Sequence, residues 1–255
     1  MVSPRPVIEV KDIHKSYGAL KAVLGISFEV FKGEIFGLLG PNGAGKTSTL
    51  EIIETLRKAT SGEVIIDGLS VSENAAEVKK KIGVQLQSAG YYPNLTLAEL
   101  LKLFAGLYNV KVDVNSMLKH VGLEERKKSK YKELSGGQKQ RFSVCTTLIN
   151  SPEIIFLDEP TTGLDPQARR NLWELIREIR KQGTTIVLTT HYMDEAEYLC
   201  DRVAIIERGK IIAMDSPANL IDDLVKKGFT KKAEMRKANL EDVFLSLTGE
   251  EWRDE

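Results

Sequence analysis

The stretch Gly40-Pro41-Asn42-Gly43-Ala44-Gly45-Lys46-Thr47 limits what this chain can fold into more than any other. It follows an apolar run, Ile35 to Leu39, and opens a helical pattern that continues from Lys46 to about Arg57. Buried strand, glycine-rich turn and helix, in that order, build a phosphate cradle. Glycine lets N–H groups turn inward around phosphate oxygens with no Cβ in the way. The helix then points its positive N-terminal end at the anion. Lys46 is placed to reach β- and γ-phosphates, and the Thr47 hydroxyl to hold Mg²⁺.

The flanking sequence agrees with such a loop. Ile26, Phe28 and Val30 alternate towards a turn at Lys32-Gly33, and Glu63 to Ile66 runs into the hairpin dipeptide Asp67-Gly68, so the first third reads as β-rich. In the middle, Thr96 and Glu99 form a capping-box pattern. Leu97, Leu100, Leu101, Phe104 and Tyr108 then share one helix face, and helical patterning continues to about Asn150. The last third alternates strand and helix. Ile154 to Leu157 is a buried strand, Asp165-Pro166 opens a helix ending at Gly183, and Thr185 to Thr189 is the next strand. Val203 to Ile206 and Lys210 to Met214 are joined by a turn at Arg208-Gly209, and Ser216-Pro217 opens a further helix. Short apolar strands alternating with helices predict an α/β fold with a mostly parallel sheet covered by helices.

Asp158 and Glu159 end the strand Ile154 to Leu157. Alone they read as a strand meeting solvent. Beside a phosphate loop, Asp158 is a candidate ligand of Mg²⁺, reached through water. Glu159, one residue further on, is then a candidate general base for an attacking water.

Composition excludes other classes. Lys plus Arg number 36 and Asp plus Glu number 36, so the chain has no basic excess for nucleic acid. A hydrophobic content of 42% is enough for a core. No apolar run approaches the ~18 residues of a spanning helix, and Met1 to Val10 lacks an apolar leader core. Cys145 and Cys200 are far apart, so neither a disulfide framework nor a zinc site is expected, and a reducing, intracellular setting fits. The neutral total hides a divided tail. Residues 226–237 carry six basic side chains against Glu234, and residues 241–255 six acids against Arg253.

Leu134-Ser135-Gly136-Gly137-Gln138 is a second anion site. Ser135 with Gln138 makes a capping box, and two glycines expose N–H groups at a helix start. Taken alone, an ordinary capped helix also fits. Together with the first loop, and ending 20 residues before Asp158, the stretch resembles the signature of the ATP-binding cassette (ABC) transporter subunits. The resemblance covers about residues 7–220.

The resemblance implies a P-loop, RecA-like sheet with helices on both faces, an N-terminal antiparallel β subdomain and an inserted helical subdomain. Residues 1–215 would form the ATPase domain, about 88–152 the helical insertion and 216–255 a short C-terminal helical tail, with a short capped helix at Asn239 to Gly249. It implies a head-to-tail dimer that holds ATP between the glycine-rich loop of one subunit and Ser135, Gly136 and Gly137 of the other, with Gln138 beside them. ATP and Mg²⁺ are the implied cofactors. Ser48 joins the residues from Gly40 to Thr47 as nucleotide-binding. Tyr17, in Lys15-Ser16-Tyr17-Gly18, resembles the residue that stacks on adenine, and a packed tyrosine is its alternative. Gln87 resembles the glutamine that approaches Mg²⁺ and water, with Gln85 nearby as the other register. Asp165 resembles the aspartate that crosses the dimer interface and also reads as a helix N-cap. His191, after the strand Thr185 to Thr190, resembles the switch histidine near the γ-phosphate. The catalytic set is therefore Glu159, His191, Lys46 and Gln87, and the metal set Thr47, Gln87 and Asp158.

The partners implied are a second ATP-binding subunit and separate permease subunits in the membrane, with no nucleic acid. The chain would sit at the cytoplasmic face, held through the permease. Tyr91-Tyr92-Pro93 falls where the family receives a helix of the membrane subunit, against the plain reading of a turn with packed tyrosines. The stretch from Asn239 to Gly249 resembles the tail of ABC-2-type and drug-exporter subunits, which points to export. Phe142, Thr146 and Thr147 depart from the family's aliphatic and alanine residues. A soluble ABC-type ATPase acting on nucleic acid or ribosomes is the alternative function.

Overall fold

A computed structural model describes residues 5–85 and 90–229, together with Val243, Ser246 and Leu247. Two sheets organise it. The N-terminal sheet is antiparallel, in the order β2-β1-β4-β5. It comprises β1 (Pro6–Tyr17), β2 (Leu20–Phe31), β4 (Ser61–Ile66) and β5 (Leu69–Ser70). Asp67 and Gly68 make the predicted hairpin turn, at φ 48° and 77°. Both central residues at positive φ match the right-handed twist of the flanking strands.

The main sheet runs β10-β9-β3-β8-β7-β6. It contains β3 (Ile35–Leu39), β6 (Ile82–Gln85), β7 (Ile154–Asp158), β8 (Thr185–Thr190), β9 (Arg202–Glu207) and β10 (Lys210–Asp215). All neighbours are parallel except β10, which pairs antiparallel with β9 at the edge. Every residue of β3, β7 and β8 is buried. That explains their unbroken apolar runs, because a strand covered on both faces has no solvent side to mark with polar residues.

The two faces of the sheet feed different cores. Ile35, Leu39, Ile155, Leu157, Ile186 and Leu188 enter one hydrophobic cluster. Phe36, Leu38, Ile154, Phe156 and Val187 enter the other, which is shared with the antiparallel sheet. Phe28 and Phe36 stack at 5.0 Å across that second interface.

Eight α-helices complete the described residues: α1 (Lys46–Ile53), α2 (Ala75–Lys81), α3 (Leu97–Tyr108), α4 (Val114–His120), α5 (Gly136–Thr147), α6 (Pro166–Lys181), α7 (Met193–Leu199) and α8 (Pro217–Lys226). Helix α3 starts at the expected capping box of Thr96 and Glu99. Asp165 and Ser216 cap α6 and α8, each with proline in the first turn. Between β6 and β7 the chain is mainly helical, with short 3₁₀ turns at Glu124–Arg126 and Tyr131–Glu133.

Three expectations need correction. Helix α1 ends at Ile53 rather than near Arg57, because Thr55 turns to φ 67° and the amides of Leu56 and Arg57 both fall on the Glu51 carbonyl. Tyr108 is exposed, and Ala105 takes the buried place on α3. Helical patterning towards Asn150 is interrupted at Gly122, whose φ of 63° follows the end of α4. The tail helix expected around 239–249 lies outside the described residues except for Val243, Ser246 and Leu247, and Val243 is buried. Among the described residues, no helix is long and apolar enough to cross a membrane.

Candidate functional site

The loop between β3 and α1 is held from below and open above. A Cβ on Gly40 would lie 2.2 Å from the Ile206 carbonyl oxygen, so only glycine lets the loop cross β9 there. Gly43 has φ 78° and nothing within 4 Å of its Cβ position, which leaves the mouth of the loop free. Pro41, Asn42 and Ala44 complete the turn, with the Ala44 amide donating to the Pro41 carbonyl at 3.2 Å. Gly45 is the N-cap of α1, at φ 104°. Lys46 is 4% exposed and donates to the carbonyls of Gly40 at 2.7 Å and Pro41 at 3.1 Å. Tyr17, at the end of β1, places its hydroxyl 3.2 Å from Ser48 Oγ in the first turn of α1. Its ring is solvent-accessible, with Lys15 and Arg57 over it.

The parallel register brings the other predicted groups to the same end of the sheet. Asp158 pairs with Thr189, and Leu39 with Thr190. The Thr47 hydroxyl lies 3.4 Å from Asp158 Oδ1. Thr189 hydrogen-bonds that same carboxylate oxygen and accepts from the Glu159 amide at 2.9 Å. Glu159 turns off the strand at φ 46°, a left-handed conformation that glutamate adopts at a cost of about 1–3 kcal/mol. The turn aims its carboxylate back over the loop. Oε1 is 3.3 Å from Lys46 Nζ, and Oε2 is 3.3 Å from His191 Nδ1.

The electrostatics follow from these contacts. The His191 ring, and then the Lys46 ammonium, hold the Glu159 carboxyl down to about 2 against its burial. Burial pushes Asp158 up, and the hydroxyls of Thr189 and Thr47 oppose the shift. Burial lowers Lys46, and Glu159 partly restores it. Glu159 is thus an ionised carboxylate clasped between a lysine and a histidine.

The second candidate anion site is the start of α5. Ser135 caps α5, accepting from the Gln138 amide at 3.3 Å while Gln138 Oε1 accepts from the Ser135 amide at 3.0 Å. Ser135 and Gly136 are exposed. A Cβ on Gly137 would come 2.9 Å from Ala168 Cβ on α6, so glycine is what seats the signature turn against that helix. Among the described residues no hydrogen bond or ion pair joins Ser135–Gln138 to the loop at Gly40–Ser48. The chain carries two glycine-bearing helix starts, at α1 and α5.

The profile of the ABC transporter family matches residues 23–162, more than half of the 255-residue chain. The chain belongs to the ABC transporter family. It is 40% identical to the linearmycin resistance ATP-binding protein LnrL of Bacillus subtilis (strain 168), over 86% of this chain and 72% of that protein. It is 36% identical to the Nod factor export ATP-binding protein I of Burkholderia orbicola (strain AU 1054), over 97% of this chain and 98% of the relative. Among solved structures it is similar to an ATP-binding subunit of an ABC transporter, with a TM-score of 0.80, 29% identity and coverage of 95% and 99% of the two chains. It also resembles a dimeric ATP-binding cassette in a post-hydrolysis state bound to ADP and Pi, with a TM-score of 0.74, 28% identity and coverage of 82% and 98%. The fold is that of an ABC ATPase cassette, a P-loop sheet with an antiparallel N-terminal sheet.

Other residues of this ABC cassette fall into place around that site. Asp165 is an N-cap, accepting from the amides of Gln167 at 3.0 Å and Ala168 at 2.9 Å. Gln87 lies outside the described residues. Gln85 ends β6, buried, with Oε1 lacking a hydrogen-bond partner. Two positioning groups escaped the sequence reading. Thr189 orients both Asp158 and Glu159, and its only sequence cue is a threonine pair before His191. Glu195 is fully buried on α7, one turn after His191. Its Oε1 accepts from Thr161 at 2.8 Å and from the Trp173 indole at 2.9 Å. Burial pushes its carboxyl up, so it sits among these donors as a group that resists ionisation.

Proposed function

We propose that this chain is the ATP-hydrolysing subunit of an ABC exporter, and that two copies, or this chain and a similar one, close around two MgATP. The observation that carries the reading is the presence of two glycine-bearing helix starts, the open loop at Gly43 and the exposed turn at Ser135 and Gly136. A second chain in head-to-tail orientation brings one site over the other and completes both. The Nod factor and linearmycin relatives support the exporter assignment, with transport running through separate membrane subunits. Residues 1–215 are then the ATPase domain, with about 88–152 as its helical insertion and 216–255 as a tail. The chain works at the cytoplasmic face of the membrane, peripheral to the permease.

The residues fit that chemistry. Gly40 to Ser48 surround the phosphates, Tyr17 lies against adenine, and Ser135, Gly136, Gly137 and Gln138 approach the γ-phosphate from the opposite chain. Asp165 reaches the interface while still capping α6. Thr47 and Asp158 offer a hydroxyl and a carboxylate 3.4 Å apart, oxygen donors suited to Mg²⁺, with Gln87 as a further donor. When bound, Mg²⁺ neutralises charge on the phosphoryl oxygens.

Lys46 leaves the loop carbonyls for the more charged phosphates. Glu159, freed from Lys46, keeps its carboxylate ionised and accepts a proton from water, while His191 holds the far side of that carboxylate and faces the γ-phosphate. Glu159→Gln keeps the shape and removes the base. It should cut hydrolysis by about 10²-fold or more and accumulate an ATP-bound dimer. Normal turnover, or a monomer in saturating MgATP by sedimentation, refutes the assignment. Lys46→Ala should abolish productive ATP binding, read with a fluorescent nucleotide.

The segment Tyr92 to Leu95, with Leu103 of α3, lines an open groove of ≈ 360 Å³ in which Tyr92 is 63% exposed. We assign it as the seat of the membrane subunit. The exposed Tyr92 and Pro93 beside Leu95 and Leu103 support the reading, since they offer an apolar partner side chains to cover.

A further inference from the structure

We infer that Tyr91 is a positioning residue that clamps the Tyr92 groove to the signature helix, so that a push on the groove is felt at Ser135–Gly137. The inference rests on the assignment of that groove to the permease for its biological purpose. The clamp itself stands on geometry alone.

Adjacent tyrosines do opposite things. Tyr92 faces outward, whereas the Tyr91 ring is packed edge-on against Phe104 of α3 at 5.7 Å and Phe142 of α5 at 5.5 Å, and tilted against Tyr131 at 4.7 Å. Its hydroxyl meets α5 directly, 2.8 Å from Thr146 Oγ1 and 3.3 Å from Ser143 Oγ. The Tyr91 hydroxyl donates to Ser143 Oγ, and Thr146 in turn donates its hydroxyl hydrogen to the Ser143 carbonyl at 2.7 Å, so the three groups form one polar cluster on α5. Burial also holds the Tyr91 hydroxyl in its neutral, donating form.

This accounts for Thr146, one of the two polar residues that depart from the family pattern, whereas the Thr147 hydroxyl turns back to the Val144 carbonyl. Alanine at 146 would remove the nearer partner of a partly buried phenol, and a polar group left unpaired costs more than the bond returns when made. Phe142 completes the aromatic wall.

A second connection reaches the same place through the backbone. The amides of Tyr131 and Lys132 donate to the carbonyls of Leu95 at 3.0 Å and Pro93 at 3.1 Å. The chain then runs from Lys132 directly into Leu134 and Ser135. The groove segment is therefore fastened to the signature on both sides, by this short ribbon before Ser135 and by Tyr91 on α5 after it. Two attachments on either side of a helix start fix its orientation, which one attachment does not.

Hydrogen exchange of the full chain reads the clamp. Tyr91→Phe keeps the ring and deletes the hydroxyl. Exchange should accelerate by about threefold or more in both 90–96 and 136–147, with 40–50 unchanged. Thr146→Val should do the same, and the double variant should add nothing to either single change. In a Glu159→Gln background, Tyr91→Phe should weaken the ATP-dependent dimer by about fivefold while the monomer's ATP affinity stays as it was, a split that general destabilisation does not produce. Acceleration confined to 90–96, additive effects, or an unchanged dimer overturns the clamp. Tyr92→Ala tests the groove separately. It should reduce association with the membrane subunits reconstituted in nanodiscs and leave exchange at 136–147 alone. Full association in that variant refutes the docking assignment, with the clamp judged by the Tyr91 results.

Discussion

Single carboxylates in this chain are tuned in opposite directions by what surrounds them, and pH separates them. Glu159 is held down to about 2 by the His191 ring and Lys46. Its contacts therefore favour the folded state fully above the ordinary carboxylate range, and that contribution disappears as pH falls from about 4.5 towards 2. An acid limb of hydrolysis near neutral pH is thus not the titration of Glu159 in the resting chain. Glu54 is the reverse case. It is buried at the C-terminal end of α1, its Oε1 has no hydrogen-bond partner, and burial first, then Asp158, pushes it up to about 8. The folded chain holds that proton where the unfolded chain releases it, so raising pH from about 4.5 to 8 costs stability. Glu54→Gln removes the slope. Thermal melts should show the variant gaining on the wild type as pH goes from 5 to 8, and a constant difference between the two would count against this account. Nothing in a linear reading flags Glu54, because the environment that shifts it arrives from α1 and β7 together. Gly40 to Thr47 was legible for the opposite reason. All of its determinants, strand, turn and helix start, are consecutive. Asp158 and Glu159 were ambiguous until the loop beside them was recognised, and Tyr91 and Thr146 stand 55 residues apart in sequence.

Elements were read well where local chemistry decides them and less well where packing does. The caps at Thr96, Ser135, Asp165 and Ser216 lie where the sequence puts them, since a capping side chain and its amide are neighbours. The end of α1 was misplaced because the pattern from Lys46 to Arg57 says nothing of the left-handed turn at Thr55. Strand β6 shows the limit most clearly. Gly83 reads as an ordinary residue of an apolar run, yet its Cβ position lies 2.0 Å from the Thr147 carbonyl oxygen at the end of α5. Glycine there lets β6, which leads into Gln85 and Gln87, approach the signature helix closely. Gly83→Ala should cost about 1–3 kcal/mol by forcing those elements apart. Urea unfolding measures it, and a neutral result would show that α5 can retreat without loss.

At the scale of the molecule, the alternation along β3, β7 and β8 divides the interior into two cores that share one sheet. Their stabilities are therefore not independent. Phe156 and Leu157 point into different cores, and truncating either to alanine should lower the same cooperative denaturant transition, by about 3–5 kcal/mol for Phe156 and about 2–5 kcal/mol for Leu157. Two separate transitions, each moved by only one of the substitutions, would contradict a shared sheet. The fold class was legible at this scale from the order of elements, because strand–helix alternation leaves few arrangements. The proposed pairing of the two helix starts across a dimer came from the family resemblance and not from the order of elements.

The alternation has one more consequence. Side chains leave a strand on opposite faces at every step, so a slip of one residue in β7 would send Leu157 into the core now filled by Phe156 and carry Asp158 out of its pairing with Thr189. Packing and chemistry are thus read off one ruler. The oily residues between Ile154 and Leu157 act as its graduations, and the carboxylate at its tip stands at the correct mark only because every graduation behind it is seated.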